Sequence, residues 1–309
     1  MVIGAGVSGL TTAIRLLEFG ADVLVRTAAM PMGTTSAIAG AMIGPIFGDE
    51  DDPFVIYGRA SLPAFRELAG LPGTGVRLRR GRLLAAPALG PGDPPWARTV
   101  PGYTTLSADD QPAGYVAGFG AELPFADMPL FLSWLLRRVG VLGGRVELRP
   151  VRSWADAESA VVVNCAGLGA RELADDDSLV PVFGQHVVVD CPALTDFVYE
   201  GGGGDDWMSV MPHGRRVLLG GIARRGSWSV VPDPGVTEEI LRRCVAAVPE
   251  LRGAPVLGVE VGLRPGRRIP RVEVEQVGDV RVVHNYGHAG NGVMLSWGCA
   301  AAAAGLALA

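Results

Sequence analysis

A chain of 309 residues is long enough to bury one large core or two interleaved domains. Hydrophobic residues make up 49% of it, but no uninterrupted apolar run approaches the roughly 18 residues that suggest a membrane span. The formal net charge is −5 at pH 7 and no basic stripe is present, which argues against a nucleic-acid-binding protein. All 27 basic residues are arginines, which excludes mechanisms built on a lysine, such as a Schiff base.

A glycine loop opens the chain in "MVIGAGVSGL", where Gly4, Gly6 and Gly9 form the pattern G-x-G-x-x-G. Residues 7–19 follow as an amphipathic helix and residues 22–26 as a strand, so the loop begins a β-α-β unit. In that setting, the N–H groups of the first helical turn and the helix dipole favour a pyrophosphate. We predict a dinucleotide site at this loop.

Position 26 leaves the identity of the dinucleotide open. A ribose-binding acid is expected about 20 residues after such a loop, and Arg26 stands there instead. An arginine suits the 2′-phosphate of NADP, so an NADP-dependent reductase is one alternative.

The middle of the chain mixes helical and extended patterns. Residues 31–45 carry small residues and hydroxyls, and residues 50–125 are rich in proline and glycine with short β-like pieces, "RLLAAPAL" and "GYVAGFGAEL". The pattern then predicts a helix over 127–144 capped by Asp127, a strand "RVELRPV", and an apolar strand over 159–170 that ends in a glycine turn.

The last part of the chain alternates β and helical patterns. Residues 181–231 alternate like antiparallel strands, "SWSVV" included, and residues 237–251 form one amphipathic helix. Strands "RVEVEQ" and "VRVVHNYG" lead to a glycine loop and a helix from Val293, whose end "CAAAAAGLALA" we expect to be a buried core helix. Together the segments predict an α/β fold with a discontinuous dinucleotide domain.

Cysteines and histidines show no disulfide or metal pattern. The four cysteines include no CxxC pair and the start shows no signal-peptide pattern, so we expect reduced thiols in a cytoplasmic protein. His284 and His288 are four residues apart, but Gly287 and the glycines after it predict a loop rather than a helical metal-binding pair.

Five stretches resemble the D-amino-acid oxidase family of FAD-dependent oxidoreductases, part of a glycine oxidase-like superfamily, along nearly the whole chain. They are "VIGAGVSGL" (2–10), "TTSAIAGAMIGP" (34–45), "VVVNCAGLGA" (161–170), "GLRPGRRIPRVE" (262–273) and "VVHNYGHAGNGVMLSWGCA" (282–300). The resemblance implies a Rossmann-like domain that binds FAD non-covalently, with an inserted, mostly antiparallel β substrate domain. The implied boundaries are 1–50, 140–180 and 261–309 for the FAD-binding domain, and 51–139 and 181–260 for the substrate domain.

Each stretch is implied to contribute to the FAD site. The glycine loop would hold the pyrophosphate, the hydroxyls that follow would bind phosphate and ribityl oxygens, and the first turn of the last helix would face the flavin N1–C2=O edge. The implied cofactor-binding residues are Gly4, Gly6, Val7, Ser8, Gly9, Arg26, Thr27, Thr34, Thr35, Ser36, Gly40, Met42, Val151, Ala166, Gly167, Arg264, Ala289, Gly290, Asn291, Gly292, Val293 and Met294.

The substrate pocket is implied to depart from the family pattern. Arg264 matches the arginine whose guanidinium fork pairs with the substrate α-carboxylate, whereas without the resemblance it would be taken as a surface arginine. Two tyrosines of ordinary members correspond here to Asp205 and Ser209, and the family's R-G-Q is F-G-Q, beginning at Phe183. We therefore predict Arg264, Ser209 and Asp205 as catalytic-site residues. The alternative for Asp205 is a solvated loop with a shifted register, in which Trp207 supplies the aromatic wall.

The implied reaction is oxidation of the C–N bond of a D-amino acid or related amine by hydride transfer to flavin N5. The imine would hydrolyse to a keto acid and ammonia, with H2O2 formed on reoxidation by O2. The alternatives are a natural-product tailoring amine or imino-acid oxidase with a non-standard substrate, and a flavoprotein without D-amino-acid oxidase activity. Expected partners are a small-molecule amine or amino-acid substrate and O2, with no metal, nucleic acid or membrane; the prediction allows a homodimer.

Overall fold

The computed structural model describes residues 1–45, 49–85, 97–98, 100–107, 111–112, 114–115, 117–201 and 204–309. The chain divides into two compact units. Unit 1 comprises Met1–Arg77, Ala126–Val182 and Leu263–Ala309, and unit 2 comprises Leu78–Phe125 and Phe183–Gly262. The predicted domain boundaries differ from this division, because residues 51–77 and 126–139 lie in unit 1 and not with the inserted segments.

The secondary structure alternates between strands and helices along the chain. The strands are β1 (Val2–Ile3), β2 (Leu24–Thr27), β3 (Val76–Ala85), β4 (Thr104–Thr105), β5 (Ala117–Ala126), β6 (Arg145–Leu148), β7 (Val161–Asn164), β8 (Val180–Asp190), β9 (Phe197–Gly201), β10 (Asp206–His213), β11 (Arg216–Ile222), β12 (Arg224–Arg225), β13 (Val256–Val277) and β14 (Val280–His288). The α-helices are α1 (Val7–Glu18), α2 (Pro53–Ala69), α3 (Met128–Val141), α4 (Ala170–Leu173), α5 (Pro234–Ala247) and α6 (Gly292–Leu308).

Unit 1 is built on parallel strands in the order β14-β7-β1-β2-β6. Val2 lies opposite Val25 on one side and Val163 on the other, and all three are completely or almost completely buried. Such apolar strands are typical of a parallel sheet that is covered on both faces. The later part of β13 joins this sheet as an antiparallel neighbour of β14.

Helix α6 packs in the core of unit 1 against α1 and α2. Its Gly298 N–H donates to the Ser61 hydroxyl of α2 at 2.8 Å, and a Cβ at 298 would overlap the Tyr57 carbonyl oxygen. By length and composition alone, Ala289–Leu308 would suffice to cross a membrane, whereas the sequence analysis predicts no segment that is long enough. Half of this segment is buried inside the protein, which favours a core helix.

Helix α2 was not predicted, because its region was expected to hold loops and short β pieces. The side chain of Asp52 caps the helix by accepting from the Phe54 N–H at 2.8 Å, and Pro53 occupies the first turn. Gly58 and Pro63 lie inside the helix and interrupt its apolar pattern, so the sequence does not indicate a helix there. Buried apolar residues nevertheless recur along one face and pack into the core of unit 1.

Other predicted elements agree with the structure, differ at their ends or, for residues 227–231, do not form. Helix α3 begins after Asp127, whose carboxylate accepts from the Leu130 N–H at 3.4 Å, as predicted. The predicted helix 237–251 is instead α5 followed by a 3₁₀ turn, and 227–231 is not a strand. Strand β14 continues through Gly287 to His288, so the loop starts later than predicted. Part of the predicted β piece "RLLAAPAL", residues 86–89, lies outside the described residues.

Unit 2 has strands in the order β4-β5-β3-β9-β10-β11-β8. Neighbours β9, β10, β11 and β8 are antiparallel in turn, whereas β3 and β9 are parallel. Helix α5 covers one face through Ile240, Cys244 and Ala247, which pack with Val210 and Leu219 of the strands. Unit 2 is therefore the mostly antiparallel part of an α/β fold.

Candidate functional site

The first and third glycines of the loop, Gly4 and Gly9, lie where a larger residue cannot fit. Gly4 has φ +100°, and a Cβ on it would overlap the carbonyl oxygen of Cys165. A Cβ on Gly9 would overlap the carbonyl oxygen of Gly4. The loop is thus packed backbone against backbone at Gly4 and Gly9, which brings the start of α1 close to the end of β7.

Gly6 is the N-cap of α1 and has no side chain to cover the first helical turn. The Val7 N–H donates to the Ser36 hydroxyl at 3.1 Å, and the position of a Gly6 Cβ lies 3.8 Å from the Thr34 hydroxyl oxygen. The hydroxyl-rich second stretch is therefore folded onto the positive end of the helix dipole. This combination of N–H groups, hydroxyls and dipole suits a phosphate.

The third stretch ends β7 beside the glycine loop. The Asn164 side chain accepts from the Ala166 N–H at 3.2 Å, and Gly167 turns the chain with φ +58°. Val151 and Ala166 both pack against the same small cluster that contains Ile3. The residues predicted for the adenosine half thus lie near the end of β1.

Arg264 lies beside the start of the last helix. Its Cδ is 3.5 Å from the point that a Cβ on Gly290 would occupy, so the Arg264 side chain lies close to the 289–291 turn. The neighbouring Leu263 carbonyl accepts from the Thr35 hydroxyl at 3.2 Å. The turn itself is a 3₁₀ segment, Ala289–Asn291, in which Ala289 has φ +50° before α6 begins.

All five stretches therefore meet at the carboxyl ends of β1, β7 and β14 in unit 1. This edge of a parallel sheet is where open α/β folds bind their ligands. The hydroxyls of the second stretch contact the start of α1 and the Leu263 carbonyl, and Arg264 lies beside the turn that precedes α6.

The Arg26 carbonyl accepts from the Gly4 N–H at 2.8 Å, and its guanidinium is bound by groups of its own unit. Its side chain is 6% exposed, donates to the Asp156 carbonyl at 2.7 Å, and pairs with the Glu158 carboxylate at 2.7 Å. The hydrogen bond from Arg26, with a second from Arg149, lowers the pKa of Glu158. The cation on which the NADP alternative rested is thus already paired with a carboxylate within the fold.

Thr27, the next residue, takes part in the glycine loop. Its hydroxyl accepts from the Ala5 N–H at 3.1 Å and donates to the Ala29 carbonyl at 2.7 Å. The end of β2 is therefore fastened to the loop by a hydroxyl.

In unit 2, Asp205 and Ser209 have contrasting surroundings. Asp205 is exposed just before β10, and its carbonyl accepts from the Ala223 N–H at 2.7 Å. Ser209 is completely buried opposite Gly220 and Tyr199, and its hydroxyl has no hydrogen-bond partner in the described part of the chain. A bulge between 206 and 209 separates the two positions.

Comparison with known proteins places these features in a family. A family model described as FAD dependent oxidoreductase matches residues 1–306.

The chain belongs to this family.

Among the relatives of this FAD-dependent oxidoreductase are two bacterial proteins named D-amino-acid oxidase. The one from Rubrobacter xylanophilus is 44% identical over 99% of this chain and 95% of the relative. The one from Streptomyces coelicolor is 43% identical over 99% of this chain and 96% of the relative. A glycine oxidase structure from Geobacillus kaustophilus has a TM-score of 0.82 at 20% identity, covering 99% of this chain and 93% of that chain, and so confirms the fold.

The residues of unit 1 fit FAD. Gly4, Gly6 and Gly9 place no side chains of their own at the helix N-terminus, and a Cβ at Gly4 or Gly9 would collide with main chain. About 280 residues later, the 289–291 turn offers a second helix N-terminus for the electron-rich edge of a flavin. An elongated dinucleotide could contact both; the individual contacts of the predicted residues stay predictions.

Sequence reasoning missed a polar network that holds the fourth and fifth stretches together. The Asp176 carboxylate accepts from the Tyr286 hydroxyl at 2.9 Å and from Arg267 Nε at 3.0 Å. Burial raises the pKa of Asp176, but hydrogen bonds from Ser178 and Tyr286 and the charge of Arg267 outweigh it and bring the pKa to about 2. The available signal is the group of arginines at 264, 267, 268 and 271, since so many cations in a short stretch need acidic partners.

The two histidines of the last stretch have separate partners. His284 Nε2 lies 2.9 Å from a Glu275 carboxylate oxygen, whereas His288 Nε2 lies 3.0 Å from the Asn285 side-chain oxygen. Their rings therefore serve two different polar contacts.

Proposed function

We propose that this FAD-dependent oxidoreductase oxidises the C–N bond of a D-amino acid or a related amine. The observation that carries the proposal is the placement of Arg264 beside the 289–291 turn, at the edge where all five stretches meet. The names of the two bacterial relatives, at 43–44% identity, support the D-amino-acid class.

Arg264 would bind the α-carboxylate of the substrate. A planar guanidinium can donate two parallel hydrogen bonds to a carboxylate, which fixes both its position and its orientation. Holding the carboxylate in this way presents the Cα–H bond in one direction, and orientation of this kind supplies much of the rate enhancement in reactions between two bound groups.

FAD, when bound, supplies the hydride acceptor. In the overall reaction, an amino acid, O2 and water give a keto acid, ammonium and H2O2, with the hydride leaving Cα and the imine taking up water. The N–H groups and dipole at the start of α6 would stabilise negative charge at the adjacent ring edge. Because the hydride departs with its electron pair, the protein needs to orient the substrate and exclude water rather than provide a general base.

The substrate side carries the finer part of the proposal. Asp205 and Ser209 correspond to family tyrosines, so a substrate other than a standard D-amino acid, such as an imino acid or a neutral amine, is the second candidate. We further propose O2 as the electron acceptor, a cytoplasmic location and a homodimeric assembly, all of which suit an oxidase of small metabolites.

The test is anaerobic reduction of the purified, FAD-loaded protein by a panel of D-amino acids, L-amino acids, imino acids and amines. We expect loss of the flavin absorbance with at least one D-amino acid, and H2O2 after air is admitted. Bleaching by an imino acid or amine alone would favour the second candidate. A flavin that no member of the panel reduces would show that the protein is not an oxidase of this class.

A further inference from the structure

A closed ring of buried polar side chains joins the two helix N-termini of the site. Thr12 and Asn285 are completely buried and His288 is 3% exposed, whereas Ser8 is half-buried in the first turn of α1. The Ser8 hydroxyl lies 3.5 Å from His288 Nδ1, and His288 Nε2 lies 3.0 Å from Asn285 Oδ1. The ring closes through Asn285 Nδ2 to the Thr12 hydroxyl at 2.9 Å, and from that hydroxyl to the Ser8 carbonyl at 2.7 Å.

The chemistry of the partners fixes every proton in this ring. The Ser8 carbonyl can only accept, so the Thr12 hydroxyl donates to it and accepts from the Asn285 amide. The oxygen of Asn285 therefore faces His288, which must carry its proton on Nε2. Nδ1 is then left as an acceptor for the Ser8 hydroxyl. Burial lowers the pKa of His288 to about 4, which agrees with a neutral ring at physiological pH.

The position of His288 gives this ring a functional meaning. His288 ends β14 and directly precedes the Ala289–Asn291 turn, where Ala289 adopts φ +50°. Ser8, at the other side of the ring, lies in the first turn of α1 between Gly6 and Gly9 of the glycine loop. The imidazole thus links the two ends of the site with one donor and one acceptor.

We infer that His288 is a positioning residue for the cofactor, which holds the 289–291 turn in register with the first turn of α1. The inference rests on the assignment of the pyrophosphate to α1 and of the flavin to the 289–291 turn. A ligand that spans both ends needs both in place, whereas a ligand that occupies only the pyrophosphate and adenosine half needs α1 alone. Loss of the ring should therefore weaken the binding of FAD more than the binding of ADP.

The experiment measures the dissociation constants of FAD and ADP for the apoprotein by calorimetry. In His288→Leu, we expect FAD to bind at least tenfold more weakly and ADP to change by less than threefold. Thr12→Val breaks the same ring but replaces no residue that is predicted to contact the cofactor. It should also weaken the binding of FAD more than that of ADP. His288→Gln keeps a donor for the Asn285 side-chain oxygen, so its dissociation constant for FAD should rise only about fivefold. This variant tests the inference if the leucine variant fails to fold.

The matched control is Ser61→Ala, which removes another completely buried hydroxyl that fastens α6, at the Gly298 N–H. It should change both dissociation constants by less than threefold. Equal losses for FAD and ADP in the ring variants, or a Thr12→Val protein that binds FAD like the control, would overturn the inference. A wild-type protein that binds neither ligand would overturn the proposed function and this inference with it.

Discussion

The cofactor edge of unit 1, where the carboxyl ends of β1, β7 and β14 meet, is formed mainly by main-chain atoms. The β10 face of unit 2, which carries Ser209, is formed mainly by side chains. At the cofactor edge, main-chain atoms make the surface, since Gly4 and Gly9 contact carbonyl oxygens directly. On the β10 face the distinctive atoms belong to side chains, such as the unpartnered hydroxyl of Ser209. A backbone surface tolerates almost no substitution, whereas a side-chain surface can change with little cost to the fold. The difference predicts that substitutions on β10 are tolerated better than substitutions of the loop glycines.

The largest expected effect comes from adding one methyl group to the backbone surface. Gly9→Ala places a Cβ against the Gly4 carbonyl, so we expect FAD affinity to fall by more than 100-fold, with a lower melting temperature. The measurement is FAD titration of the apoprotein together with thermal unfolding.

The control for that variant is Gly305→Ala in α6, where a Cβ meets nothing within 4 Å. Because alanine favours a helix over glycine, this change should leave FAD binding intact and raise stability by up to about 1 kcal/mol. If Gly9→Ala behaved like Gly305→Ala, the cofactor edge would not be the backbone surface described above.

Next in size is removal of the cation beside the second helix. Arg264→Ala should raise KM for carboxylate substrates by at least 100-fold, since a charge-assisted bidentate pair contributes about 3 kcal/mol. The affinity for FAD should change much less. Steady-state kinetics against a D-amino acid and against a matching amine without the carboxylate would separate the two effects.

Arg268→Ala serves as the control, because Arg268 lies in the same run but is exposed. Its KM should stay within twofold of the wild-type value. An Arg264→Ala enzyme with an unchanged KM would remove Arg264 from the substrate site.

A smaller effect concerns Asp176, which holds the fourth and fifth stretches together. Its pKa in the folded protein is about 2, below the ordinary 3.8, so it stabilises the fold above pH 4 and loses that contribution as pH falls from about 4 to 2. Asp176→Asn should lower the free energy of unfolding by about 2 kcal/mol at pH 7, and the gap to wild type should close below pH 4.

Thermal unfolding between pH 2 and 7 measures this gap, with Glu238→Gln as the control because Glu238 is an exposed carboxylate of α5. The control should follow the wild-type curve throughout. A gap for Asp176→Asn that is the same at pH 3 and pH 7 would contradict a role for the carboxylate charge.

The smallest effect is expected on the side-chain surface. Ser209→Ala removes a buried hydroxyl that has no partner among the described residues, so stability should stay constant or rise by about 1 kcal/mol. FAD affinity should stay within twofold. Ser61→Ala, which removes an equally buried but hydrogen-bonded hydroxyl, should instead lower stability. A comparable loss in Ser209→Ala would show that the β10 face is as constrained as the cofactor edge.

Local signals made part of this structure predictable from the sequence. Asp127 caps α3 and the glycine loop opens α1, and both features depend on residues within one or two turns. Helix α2 was missed because Gly58 and Pro63 obscure its pattern, and its place in unit 1 depends on Ser61 meeting Gly298, 237 residues away. The ring around His288 was missed for the same reason, since nothing near Asn285 in sequence points to Thr12.

The separation of 280 residues between Ser8 and His288 also has a consequence for synthesis of the protein. A nascent chain that carries the glycine loop and all of unit 2 still lacks the 289–291 turn, so it cannot yet form the complete cofactor site. Until then, the apolar faces of α1 and α2 that α6 will cover are open to water and to chaperones. Complete capture of FAD therefore requires a chain that has been synthesised beyond the 289–291 turn.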